Sequence, residues 1–368
     1  MSTAGKQIVS TLSSDGQLTV ALQDHLFPAP DAHEVLVQIE AAPINPSDLA
    51  LLFGPADLEG ALYQPGRIIA QMPPFAVQAM AGRLDQAMPV GNEAAGVVIA
   101  AGSDPYAQSL LGKRIACRSG TTFATHTVAD ARTCLPLGAD ITAVQGAGAF
   151  VNPLTALAFV ETMRSDGFTG IIHTAAASNL GQMLVRLCQA EGIPLINVVR
   201  SAEQAVLLKG MGAEWVINSS DPDFFDQLVS AIAATGAMLG FDAIGGGKMA
   251  ATLLSAMEQV ASRGADYSRY GSNTLKRVYI YGALDLSPTI LPRSFGFAWD
   301  LAGWLLIPFL AKLGAEGQMR LAGKVAAGLT TTFASTYKAE IGLEAMLSRD
   351  VALAYNAKAT GEKYLLVP

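Results

Sequence analysis

From about Gln7 to about Asp140 the chain alternates short apolar runs with turn residues. Val35–Ala41 (VLVQIEA), Ala94–Gly102 (AAGVVIAAG) and Arg114–Gly120 (RIACRSG) are examples. This rhythm predicts many short strands, as in an antiparallel barrel or sandwich. It lapses over residues 52–89, which are rich in Met, Gly and Pro and have no clear period. That stretch reads as an insertion lying over other structure.

The pattern changes near Ala147. Asn152-Pro153 predicts a helix start, with Asn as N-cap and Pro in the first turn. From there to about Leu286, apolar strands alternate with helices. The strands are Ile171–Ala175, Leu195–Val199, Trp215–Asn218, Met238–Ile244 and Val278–Leu284. Between them, Gly181–Glu191 carries Met183, Leu184, Leu187 and Cys188 on one face and Gln182, Arg186 and Gln189 opposite. Ser201–Gln204 has capping-box form, and Asp221-Pro222 opens a further helix. Such alternation predicts a parallel sheet covered on both faces. The fold class is therefore α/β: a Rossmann-type domain set within a β-rich one. The domains run 1–148, 149–294 and 295–368, the last returning to the first.

Composition narrows the function classes. Of 368 residues, 51% are hydrophobic and 15% charged, which gives ample core and argues against disorder. The net charge of −7 and the lack of a basic run leave no general field for nucleic acid or an anionic membrane. The apolar stretch Leu301–Ala311 is too short to span a bilayer, contains Pro308, and reads as a buried or interface helix. The start lacks the apolar core of a signal peptide. Three scattered cysteines (Cys117, Cys134, Cys188) suit neither a disulfide frame nor a thiolate cluster. A cytoplasmic protein is expected.

The candidate chemistry lies between the first two apolar strands. Ala175–Gly181 (AAASNLG) connects strand to helix with small residues, and Ser178 and Asn179 are able to bind phosphate oxygens. Only one glycine of the three in G-x-G-x-x-G is present, so this motif alone is weak. The second strand ends in Arg200-Ser201, where an NAD site places an acid and an NADP site an arginine. Arginine pairs with a 2′-phosphate that an acid repels, which favours NADPH. Gly245-Gly-Gly-Lys248 resembles half a P-loop but has Met249 where Ser or Thr is required. The four histidines do not cluster, and His173, inside a strand, reads as structural.

The order of these pieces resembles the medium-chain dehydrogenase/reductase superfamily over nearly the whole chain. Ile44–Asp48 (INPSD) is similar to I-N-P-x-D of its zinc-free members, and Pro89–Val98 (PVGNEAAGVV) to P-x-x-G-x-E-x-x-G-V-V. Gly112–Ile115, Gly120–Ala124 and Asn152–Ala156 resemble G-D-R-V, G-T-F-A-E and N-P-x-T-A. SNLGQ, the later INVVR and Gly91–Glu93 resemble the enoyl-thioester reductases. The resemblance implies a GroES-like β-barrel domain beside the Rossmann domain, a homodimer, and no metal. Zinc members carry Cys and His where this chain has Asn45 and Asn92, and a neutral carboxamide is a poor zinc ligand.

By the same resemblance, hydride passes from NADPH to a small conjugated carbonyl, a quinone or an enone. Asn45, Tyr63 and Thr155 are the catalytic candidates, Tyr63 as the only tyrosine of the insertion. Asn152, Thr155, Ser178, Asn179, Leu180, Gly181, Arg200, Ser201, Gly245 and Gly282 are the candidate cofactor residues. The aromatic stretch Phe295–Leu310 is read as core, substrate wall or dimer face. Enoyl-CoA or acyl-carrier reduction, a non-catalytic NADPH-binding protein and a zinc alcohol dehydrogenase are the rival readings.

Overall fold

The computed structural model describes residues 2–264, 266–361 and 363–368. The chain divides into two compact units. One comprises Met1–Val151 with Lys324–Pro368, the other Asn152–Gly323. The second boundary thus falls at Gly323, later than the expected 294. Residues 299–303 form a further strand of the second unit, so the predicted helix over 301–311 begins only at Leu306.

The first unit holds two sheets. In one, Asp57–Gln64, Arg67–Gln71, Gln17–Phe27, Thr3–Leu12 and Ala87–Pro89 lie side by side, antiparallel throughout. The other runs Leu135–Pro136, Arg114–Arg118, Glu93–Ala101, Glu34–Pro43, Tyr364–Leu366 and Ala339–Ile341, with His126–Asp130 also paired to Glu34–Pro43. Their inward residues, among them Ile8, Val37, Phe123 and Leu366, form one apolar core. Residues 52–89 are therefore not an irregular cover: three of their segments are strands of the first sheet. Arg83 anchors this region by donating to Leu51 O and to Ser10 Oγ.

The main sheet of the second unit has six parallel strands among the described residues. Their order is Trp215–Asn218, Leu195–Val199, Ile171–His173, Leu239–Asp242, Lys276–Ile280, Trp299–Gly303. Numbered along the chain, this is 3-2-1-4-5-6. The order reverses beside Ile171–His173, which makes the crevice at that strand's carboxyl end the expected ligand position. Helices Asn179–Glu191, Ala202–Gly210, Phe224–Thr235 and Met249–Ala261 connect the strands. The helix after Asp221-Pro222 starts at Phe224 rather than at the proline. By length and composition Ala143–Ser165 is apolar enough to cross a bilayer, and most of it is buried within the chain.

Candidate functional site

At the switch point of the second unit, the strand Ile171–His173 leads into the small-residue turn. Ala175 takes φ +50°, a left-handed conformation that glycine adopts without cost and alanine does not. The turn thus keeps the shape of a glycine turn at roughly 1 kcal/mol of strain. Ser178 is the N-cap of helix Asn179–Glu191, its Oγ accepting from Gly181 N at 3.2 Å. A Cβ on Gly181 would lie 2.0 Å from Ala176 O, so only glycine lets the helix start this close to the turn. The first-turn N–H groups of Asn179 and Leu180 complete the anion-binding end that a dinucleotide pyrophosphate requires.

Arg200 follows the second strand and is exposed. Its backbone is fixed by Arg200 N donating to Gln204 Oε1 at 3.0 Å and by Ser220 Oγ donating to Arg200 O at 2.8 Å. Its guanidinium makes no hydrogen bond or ion pair among the described residues. Ser201 caps the next helix, accepting from Gln204 N, so its hydroxyl serves the helix first. Asn152 and Thr155 are both buried in the first turns of helix Val151–Ser165, three residues apart on one face. That helix begins at Val151, so Asn152 lies inside it and is not its N-cap.

Gly245 and Gly282 sit beyond the fourth and fifth strands. A Cβ on Gly245 would come within 2.7 Å of Gly282 O, so these glycines first of all let two loops approach each other. Sequence reasoning missed the lock beside them. Thr174 Oγ1 donates to Asp242 Oδ1 at 2.7 Å, and Asp242 accepts from Ile244 N and Gly245 N. This ties the strands flanking the crevice at their carboxyl ends. His173, wholly buried, pairs its Nε2 with the Tyr281 hydroxyl at 2.7 Å. Burial pushes its pKa down to about 3, so it carries no charge near neutrality.

The first unit contributes a buried polar cluster. Asn45 is 1% exposed, and its Nδ2 donates to Glu93 Oε1 at 2.9 Å. Asn45 N donates to Asp48 Oδ2 and Asn92 N to Asp48 Oδ1, at 2.8 and 2.9 Å. Glu93 Oε2 also accepts from Phe150 N and Val151 N, at 2.8 and 2.9 Å. The carboxylate thus does at the helix start what sequence assigned to Asn152. Burial pushes Asp48 up to about 7 and raises Glu93 as well.

Asn45 and Asn92 both use their amide N–H groups as donors, the latter to Ser47 Oγ at 3.1 Å, which is the opposite of metal ligation. No grouping of three or more His, Cys, Asp or Glu suited to a metal occurs among the described residues. Tyr63 lies in the strand Asp57–Gln64 and donates its hydroxyl to Leu58 O at 2.9 Å, with its ring against the apolar core. That proton is committed to the sheet. In the aromatic stretch, Phe295, Trp304 and Leu310 are core, with Trp304 Nε1 donating to Thr162 Oγ1, whereas Phe297, Leu305 and Ile307 are exposed.

A parallel sheet in this order, with a glycine-dependent turn at its switch point, defines a dinucleotide-binding class of fold. No family model matches the chain. The mitochondrial enoyl-acyl-carrier-protein reductase of Xenopus tropicalis is 31% identical over 196 residues, 51% of this chain and 49% of that protein. The chain spans about half the length of such curated relatives. A Mesorhizobium loti structure, provisionally described as an NADPH:quinone reductase, superposes with TM-score 0.76 at 25% identity, covering 99% of this chain and 98% of that one. Quinone oxidoreductase from Escherichia coli, solved with NADPH, superposes with TM-score 0.72 at 18% identity over the full length of both. Quinone oxidoreductases and enoyl reductases of the medium-chain dehydrogenase/reductase superfamily occur among both the homologues and the structural neighbours.

Proposed function

We propose that this chain is a zinc-free, NADPH-dependent reductase that delivers hydride to a conjugated carbonyl. The observation that carries the reading is Arg200: an uncommitted, exposed guanidinium at the end of the second Rossmann strand, one connection away from the Ala175–Gly181 turn. NADPH, when bound, supplies the hydride; the protein supplies position and electrostatics. Ser178, Asn179, Leu180 and Gly181 hold the pyrophosphate, and Arg200 with Ser201 holds the 2′-phosphate. Thr155 and Asn152 lie towards the nicotinamide. The buried Asn45 acts by positioning through Glu93 rather than by touching substrate. In this reading the first unit is a GroES-like barrel.

A quinone or enone is the first acceptor class. The Xenopus relative favours an enoyl thioester as the second. Titrating NADPH and NADH tests the cofactor assignment. Wild type should bind NADPH at least tenfold more tightly, and Arg200→Asp should reverse or erase that preference. Equal affinities for both nucleotides in wild type would remove Arg200 from the site.

A homodimer belongs to the same proposal. The strand Trp299–Gly303 ends the six-stranded sheet with Lys276–Ile280 as its one neighbour among the described residues, and Leu305 and Ile307 beyond it are exposed. An open edge beside exposed apolar side chains is suited to two-fold pairing with a second copy. Light scattering should give twice the chain mass, and Leu305→Lys with Ile307→Lys should give the single-chain mass. A monomeric wild type would refute the pairing.

A further inference from the structure

Three ionisable groups are enclosed together in the first unit. Asp48 and Glu93 are 2% and 0% exposed, and the Lys363 ammonium is sealed from solvent. Both carboxylates are used wholly as acceptors. Glu93 receives the Asn45 amide and the Phe150 and Val151 N–H groups; Asp48 receives the N–H groups of Asn45 and Asn92. All five donors are neutral. A proton on Glu93 Oε2 would turn an O–H towards the two N–H groups that already donate there, so the arrangement favours the ionised form. Burial opposes that form.

A compensating charge comes from Lys363. Its Nζ has no hydrogen-bond partner among the described residues, so it acts on Glu93 and Asp48 through space in a desolvated interior. Burial holds the Lys363 pKa below its ordinary value, and the two carboxylates oppose this only in part. Among the other groups that act on Glu93, Asp48 is acidic, Cys117 is buried and neutral, and Tyr337 is half-buried and neutral, the last two pushed up in pKa. Arg118 is paired with Glu93 in the strand register, and its charge acts on Cys134.

We infer that Lys363 is a positioning residue: its charge keeps Glu93 an acceptor, and Glu93 in turn fixes the Asn45 carboxamide and the Phe150–Val151 segment. Two carboxylates thus depend on one ammonium, and loss of that charge loosens both Asn45 and Phe150–Val151. This rests on the reading that the start of helix Val151–Ser165 serves the cofactor site.

The test uses Lys363→Met and Lys363→Arg, with NADPH affinity and melting temperature each followed from pH 5.5 to 9.5. Without the ammonium, the folded-state pKa of Glu93 rises further above its unfolded value. Lys363→Met should then be least destabilised at low pH, where Glu93 takes a proton, and most destabilised at high pH, where it must stay ionised. Its NADPH affinity should show the reverse trend, at least tenfold below wild type at pH 6 and recovering as pH rises. Lys363→Arg, which retains the charge, should bind NADPH like wild type from pH 5.5 to 9.5. A purely structural lysine would give a melting-temperature loss independent of pH and affinity profiles that do not move in either variant; that result overturns the inference. If wild type binds no NADPH, the cofactor reading fails, while the pH dependence of the melting temperatures still decides the link between Lys363 and Glu93.

Discussion

Gly181→Ala should weaken NADPH binding by at least a hundredfold and lower the melting temperature of the second unit. The added methyl would stand 2.0 Å from Ala176 O, 2.6 Å from its carbonyl carbon and 2.8 Å from its Cα. These are backbone atoms, and no side-chain rotation relieves the clash. Either the helix Asn179–Glu191 moves away or the turn Ala175–Ser178 deforms. Overpacking of this kind costs about 1–3 kcal/mol where side chains are able to adjust, and more where they are not. Both responses displace the Ser178 cap and the first-turn amides together, so binding should suffer more than stability. Fluorescence titration with NADPH, beside a melt, separates the two effects. An alanine variant that binds NADPH as wild type does would place the cofactor elsewhere.

The second large effect concerns Lys276 and Glu258. Lys276 is 0% exposed, yet all three of its ammonium protons are used: by Glu258 Oε2 at 2.5 Å, Thr274 O at 2.9 Å and Ser272 Oγ at 3.0 Å. Glu258 accepts further from Ser262 Oγ, Ser272 N and Ser272 Oγ. Gly271 and Gly296 pass so close that a Cβ on either would meet its carboxylate. The pair therefore fastens the chain before strand Lys276–Ile280 to helix Met249–Ala261. Removing one partner leaves a buried charge uncompensated, which costs about 3–5 kcal/mol. Lys276→Met should lower stability by that amount.

Acid acts on the same pair. Burial alone would raise the Glu258 pKa, but hydrogen bonds from Lys276, Ser272 and Ser262 outweigh it and hold the group at about 2. A carboxylate depressed from 4.5 contributes stability that is complete above its unfolded pKa and is lost as pH falls through about 2. All three tryptophans (Trp215, Trp299, Trp304) lie in the second unit, so their fluorescence follows its unfolding. A Lys276→Met midpoint indistinguishable from wild type at pH 7 would show that the pair adds nothing.

What was legible in the sequence follows from how much apolar surface each element buries. Leu195–Val199 is buried at every position, and the sequence-read strands Leu195–Val199 and Trp215–Asn218 coincide with the observed ones. The face of helix Asn179–Glu191 was equally plain, since Met183, Leu184, Leu187 and Cys188 are all buried. The strands Asp57–Gln64 and Arg67–Gln71 were hidden because they lie at the outer side of a sheet. Leu58, Ile68 and Ala70 are their only buried positions, which is too few to show a period of two. The end of strand Trp299–Gly303 falls within Leu301–Ala311, which reads as helix for a related reason: as an edge strand it buries no residue fully and lacks the continuous apolar run of an inner strand. In the site, the turn and Arg200 could be found because they are local. The Thr174–Asp242 lock and the convergence of Asn45 and Val151 on Glu93 join residues about 50 to 70 positions apart, and spacing along one sequence does not encode such pairs.

The most direct test of the account is NADPH oxidation by the purified chain, followed against small quinones, enones and enoyl-CoAs, with NADH as control. Turnover of at least one of these acceptor classes, with NADPH strongly preferred, is the expected result. Tight NADPH binding with no oxidation by any of them would contradict it and leave a protein that holds the nucleotide without using it.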